Sequence, residues 1–105
     1  MPRTYAKKSD SNQPELVQQL RRVPGVFVQV VSACAGLGFD LIARYQDNPP
    51  LLLEVKPAAS SRLTDSEKLA RKHYGPYWQR VETLEQALVA LGISAEPAPA
   101  EWGRR

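Results

Sequence analysis

Residues 38–56, GFDLIARYQDNPPLLLEVK, constrain the fold more than any other part of the chain. Two apolar runs flank a polar, proline-containing turn, Gln46-Asp47-Asn48-Pro49, which is the pattern of a β-hairpin. Side chains alternate across a strand, so Leu51, Leu53 and Val55 take one face and Glu54 and Lys56 the other. Asp40 stands one strand back. A hairpin centred near Asp47 sets Asp40 opposite Glu54, and one centred near Asn48 sets it opposite Lys56. Either register gathers Asp40, Glu54 and Lys56 on one face, whereas a half-step between them sends Asp40 to the other side. Two carboxylates this close repel each other unless a cation sits between them. Mg²⁺ (or Mn²⁺) suits such a pair, since Mg²⁺ prefers oxygen ligands and keeps several waters. A lysine two residues from a metal ligand can then hold or polarise an attacking water. The layout is that of a metal-dependent phosphodiesterase site.

The chain of 105 residues is enough for one small domain and too short for two. No apolar run approaches membrane-spanning length. The polar, basic start is not followed by an apolar stretch, so no secretory signal is expected. The single cysteine, Cys34, cannot form an internal disulfide, which fits a reducing, cytoplasmic setting. No cysteine–histidine cluster offers a structural zinc site. A formal net charge of +3 is compatible with nucleic acid as partner.

Residues 1–10 read as a basic arm with Lys7 and Lys8, 11–92 as a single domain, and 93–105 as a proline-containing tail. A first helix is expected over 11–23, capped by Ser11 or Asn12, with Pro14 in its first turn and Leu16, Val17 and Leu20 inward. A β-branched strand follows over 26–32. The small, glycine-rich run 33–38 permits positive φ or the close approach of a phosphate backbone. Cys34 within it reads as a small packed residue. After the hairpin, Pro57 ends the pairing, and Ser60, Ser61 and Arg62 form a loop able to touch phosphate. Thr64 and Glu67 form a capping box for a helix running to about Tyr74. Leu69, Ala70 and His73 or Tyr74 are expected inward, with Lys68, Arg71 and Lys72 facing out as candidate DNA contacts. A strand over 77–81, with Trp78 in the core, and a last helix from Thr83 to Gly92 complete the pattern. The fold class is α/β: a small mixed sheet flanked by helices in the order α-β-β-β-α-β-α.

Phe39-Asp40 followed by Glu54-Val55-Lys56 resembles the catalytic core of the PD-(D/E)XK nuclease superfamily. Over about residues 11–92 the chain looks most like the small stand-alone VRR-NUC type found in bacteriophages and prophages. The matching pieces are Asn12-Gln13-Pro14-Glu15, Gly36-Leu37-Gly38-Phe39-Asp40-Leu41, Leu53-Glu54-Val55-Lys56, Leu63-Thr64 and Thr83-Leu84-Glu85-Gln86-Ala87-Leu88. Two positions depart from the family. The proline that usually precedes the aspartate is Phe39, and a glutamine often found early in the following helix is Glu67. The resemblance implies a restriction-endonuclease-like core and a Mg²⁺- or Mn²⁺-dependent nuclease, often dimeric, acting on DNA by structure more than by sequence. By resemblance alone, Glu15 is a third acidic group for the site. Asp40 and Glu54 are expected to hold the metal, the Val55 carbonyl to complete its shell, and Lys56 to orient the water. The rival expectation is a non-catalytic nucleic-acid-binding module on the same fold.

Overall fold

The computed structural model describes residues 12–93. Lys7, Lys8 and the chain beyond 93 lie outside the described residues. The order of elements is α1 (Gln13–Arg21), β1 (Val26–Val30), β2 (Leu41–Tyr45), β3 (Leu51–Val55), α2 (Asp65–Tyr74), β4 (Trp78–Val81) and α3 (Leu84–Ala90). A 3-10 turn, Gly75–Tyr77, joins α2 to β4. The expected α/β class is the one observed: a four-stranded mixed sheet flanked by three helices. β1, β2 and β3 form an antiparallel meander, and β4 returns parallel to β3 after the crossover through α2.

The hairpin register decides where the site lies. Leu41 stands opposite Leu53, Ile42 opposite Leu52 and Ala43 opposite Leu51. The turn is therefore centred on Asp47, and Gln46 takes the positive φ, 52°, that closes it. Continued by one residue, this register sets Asp40 opposite Glu54.

One face of the sheet is apolar and dry. Leu41, Ala43, Leu53 and Val55 are fully buried there beneath Leu16, Val17 and Leu20 of α1 and Ala87 of α3. Burying a leucine side chain contributes roughly 2 kcal/mol, so this layer, more than helix propensity, holds the short helices in place. Ile93 packs against the same core. The opposite face carries a smaller cluster, Phe39, Ala70 and Trp78, under α2.

Two local expectations are corrected. Asn12 stands at the start of α1 but makes no side-chain cap. Its Nδ2 donates instead to the carbonyls of Lys56 (3.2 Å) and Glu82 (3.1 Å), tying α1 to the ends of β3 and β4. On α2 the capping box forms as expected. Ala70 faces inward as expected, but Glu67 joins it, while Leu69, His73 and Tyr74 are exposed. Positions three and four apart share a helix face, so once Glu67 turns in, Ala70 follows, while Tyr74 stays half-exposed at the edge. The Tyr74 ring meets Phe39 edge-on at 5.9 Å. Among the described residues, no helix is long and apolar enough to cross a membrane.

Candidate active site

Asp40 sits where β2 stops being regular. Its N–H donates to the Leu53 carbonyl and its own carbonyl accepts from the Val31 N–H, both at 2.8 Å. In a regular strand both groups of one residue point to the same neighbour, so the backbone turns at Asp40 as at a bulge. Oδ2 of Asp40 then accepts from the Val55 N–H at 2.9 Å. The carboxylate thus occupies the gap where the β2–β3 ladder ends.

The chain before Asp40 is fastened twice. Gly38 has φ +85°, and a Cβ there would collide with the Ser66 carbonyl and lie 2.7 Å from the Ala70 Cβ. Only glycine lets α2 come this close. The Gly38 carbonyl also accepts from the buried Trp78 Nε1–H at 2.8 Å. Two residues before the candidate ligand, the backbone is therefore held by both α2 and β4.

Glu54 is only 2 % exposed, in β3 between its neighbours across β2 and Arg80 of β4. Lys56 follows, 8 % exposed. Its N–H donates to the Val81 carbonyl at 2.9 Å, and its carbonyl accepts from Asn12. Its Nζ lies 2.9 Å from Glu67 Oε1 and 3.5 Å from Glu54 Oε2. The same Glu67 oxygen accepts the Thr64 N–H at 2.8 Å. The capping box of α2 therefore doubles as the anchor of the lysine head group. Sequence reasoning found Glu67 as a cap and missed this second role. The pairing has no local signal in the sequence: it forms only once α2 packs back onto the end of β3.

These contacts set the charges. Burial, then the Asp40 charge, then the hydrogen bond and charge of Glu67 push the Glu54 carboxyl up from 4.5 to about 9; Lys56 opposes this only in part. For Lys56, burial acts downward, but the Glu67 hydrogen bond and the charges of Glu54 and Glu67 outweigh it and raise its pKa. For Glu67, burial acts upward and is outweighed by hydrogen bonds from Lys56, the Thr64 backbone and Glu54, which lower it. At neutral pH the cluster is a Lys56–Glu67 ion pair with a protonated Glu54 beside it and Asp40 across the gap.

A cleft of about 300 Å³ opens onto this cluster, lined by Ser32, Cys34, Gly36, Asp40, Glu54, Thr64, Ser66 and Glu67. Cys34 is exposed at its rim, not packed. The expected packing fails: residues 33–37 are all exposed, with open space around Gly36. A larger cleft of about 420 Å³ between β4 and α3 holds none of the candidate ligands. The candidate ligands Asp40 and Glu54 line the smaller cleft.

The remaining candidates are scattered. Glu15 is exposed on α1 and lines a shallow groove with Asn12, Gln19 and Glu82, outside the cleft that holds Asp40 and Glu54. Arg62, Lys68, Arg71 and Lys72 are all exposed. Arg80, which sequence reasoning did not single out, fastens the loop after Lys56. Its Nη2 donates to the carbonyls of Ala58 (2.7 Å) and Ser61 (3.0 Å), and its Nη1 pairs with Glu82 at 3.0 Å.

Among the described residues, no three His, Cys, Asp or Glu side chains gather as a metal-binding group. The pair that does meet still suits a hard cation. Both donors are carboxylates, and Mg²⁺ is commonly held by one or two of these plus waters. Glu54 is kept protonated by burial and by Asp40, and a cation between them relieves both effects. Compared with family models, curated proteins and solved structures, the chain matches none.

Proposed function

We propose that this chain is a Mg²⁺- or Mn²⁺-dependent nuclease of PD-(D/E)XK type that hydrolyses phosphodiester bonds in DNA. The observation that carries the reading is a buried carboxyl, Glu54, set opposite Asp40 with its pKa pushed upward, and Lys56 two residues further along the chain. Perturbed titratable groups in a cleft are a mark of functional sites. When bound, the divalent ion supplies positive charge at the phosphate and an acidified water. Asp40 and Glu54 would hold it through their carboxylate oxygens, and the Val55 carbonyl would complete its shell. Lys56, steered by Glu67, orients the attacking water and offsets charge developing on the phosphate. Gly38 and Trp78 fix the backbone that aims Asp40.

The exposed Arg62, Lys68, Arg71 and Lys72 suit DNA as the polyanion. A flap or junction is the proposed substrate, following the stand-alone VRR-NUC likeness, with a cytoplasmic site of action. A symmetric homodimer would supply the surface that one small domain lacks. One observation favours the rival, a non-catalytic binding module on the same fold: Lys56 is already engaged by Glu67 and Glu54.

The test is cleavage of labelled linear, flap and four-way-junction DNA in Mg²⁺, Mn²⁺ or EDTA, beside Lys56→Ala. Metal-dependent cleavage that the variant lacks supports the nuclease. Binding by both proteins with no cleavage selects the module.

A further inference from the structure

The half of the sheet face beside the carboxylates is open. α2 covers the β4 side of this face, where Ala70 packs with Trp78 and Phe39. Val31 and Ile42 pack partly against the same cluster, and nearer the hairpin turn the β1–β2 end of the face is left exposed. There Phe27 is 59 % exposed within a strand, and Gln29 and Arg44 are exposed beside it. Phe27 stands directly opposite Arg44, and Gln29 opposite Ile42. A strand advances about 3.4 Å per residue, so the Phe27–Arg44 pair lies roughly 14 Å along β2 from Asp40, within reach of a few nucleotides.

Arg44 is already oriented. Its Nε donates to the Asn48 carbonyl at 3.0 Å, and its Nη2 lies 3.7 Å from Asp47 in an exposed pair. Such a pair is weak enough for a phosphate to displace. An aromatic ring, an amide and a guanidinium stand side by side on this open face. They match what a single-stranded nucleic acid needs, a stacking surface next to positive charge.

We infer that this face is a track for single-stranded DNA leading to the carboxylates. An unpaired base stacks on Phe27, Arg44 takes a phosphate, and the strand runs along β2 toward Asp40 and Glu54. The inference rests on the nuclease reading for its endpoint and names the substrate as DNA with an unpaired segment.

The test uses the full chain in EDTA, with fluorescence anisotropy of labelled oligo-dT and of a blunt duplex. Phe27→Ala and Phe27→Leu each weaken oligo-dT binding roughly tenfold, while Phe27→Trp preserves it. Duplex binding stays near the parent value in all three. Arg44→Ala weakens binding and lowers the salt slope by about one. Phe27 is exposed, so the melting temperature serves as a control that each variant is folded. Parent-like oligo-dT binding by Phe27→Leu, or indifference to every substitution, overturns the track. A drop in sedimenting mass for Phe27→Ala also overturns it, since the face then belongs to a second copy. Flap cleavage in Mg²⁺ on the same samples separates the two claims. Phe27-dependent binding without cleavage by the parent refutes the nuclease reading and leaves the track; cleavage with Phe27-independent binding refutes the track alone.

Discussion

Replacing Glu54 by glutamine is expected to stabilise the fold, in a pH window set by the carboxyl itself. Its pKa is about 9 in the folded chain against an ordinary 4.5. Between these values the folded state binds a proton that the unfolded state has released. Stability therefore falls as pH rises from 4.5 toward 9. Each pH unit in the window costs about 1.4 kcal/mol, so at pH 7 the loss is about 3 kcal/mol. Glu54 is 2 % exposed, so solvent screening takes little from this figure. Glutamine has nearly the same volume, and its amide can donate to Glu67 in place of the acid proton. Glu54→Gln should thus be more stable than the parent by about 3 kcal/mol at pH 7 and by almost nothing at pH 4.5. Because Glu67 is shifted downward, its own titration lies below the window and does not mask the effect. The assay is urea unfolding of both proteins at intervals from pH 4.5 to 9 without divalent ions. A stability difference that is flat across that range, or that favours the parent at pH 7, would refute the reasoning. The gain should come with loss of cleavage, the usual exchange between stability and an active site.

Other outcomes follow from single contacts. Trp78→Phe removes the donor to the Gly38 carbonyl and leaves a buried acceptor unmet; urea unfolding should show a loss of about 1–3 kcal/mol. Gly38→Ala meets both a positive φ and the Ala70 Cβ at 2.7 Å; it should destabilise by about 1–3 kcal/mol and lower cleavage more than any change to the exposed face of α2. Glu67→Gln keeps the capping geometry but removes the charge beside Lys56. It should leave the helix intact by circular dichroism and lower kcat more than KM, whereas Glu67→Ala should also lose about 1 kcal/mol from the cap.

Much of this architecture was legible because its signals are local. The position of Gln46-Asp47-Asn48-Pro49 between two apolar runs narrowed the hairpin to two registers, and the first of them is the one found. Thr64 and Glu67 announced the start of α2, and Trp78 its place in the core. What was not legible depends on contacts far apart in sequence. The inward turn of Glu67 toward Lys56, which leaves Leu69 exposed, is fixed by the crossover to β4 and not by helical periodicity. Asn12 looks like a cap, yet it spends its amide on the ends of two strands, 44 and 70 residues away. Arg80 has no motif around it; its role exists only once β4 lies beside β3 and the loop after Lys56 folds over it. Glu15 matched a family position in sequence, but α1 packs through Leu16, Val17 and Leu20, and that orientation leaves Glu15 on the outer side.

The most direct measurement is a calorimetric titration of Mg²⁺, and then Mn²⁺, into the full chain at pH 7 in two buffers of different ionisation enthalpy, beside Asp40→Asn. If Asp40 and Glu54 form a cation site, the parent binds the ion and releases about one proton, because Glu54 must give up its own to become a ligand. Asp40→Asn binds far more weakly. No binding at millimolar metal, or binding that Asp40→Asn leaves unchanged and that releases no proton, contradicts the account.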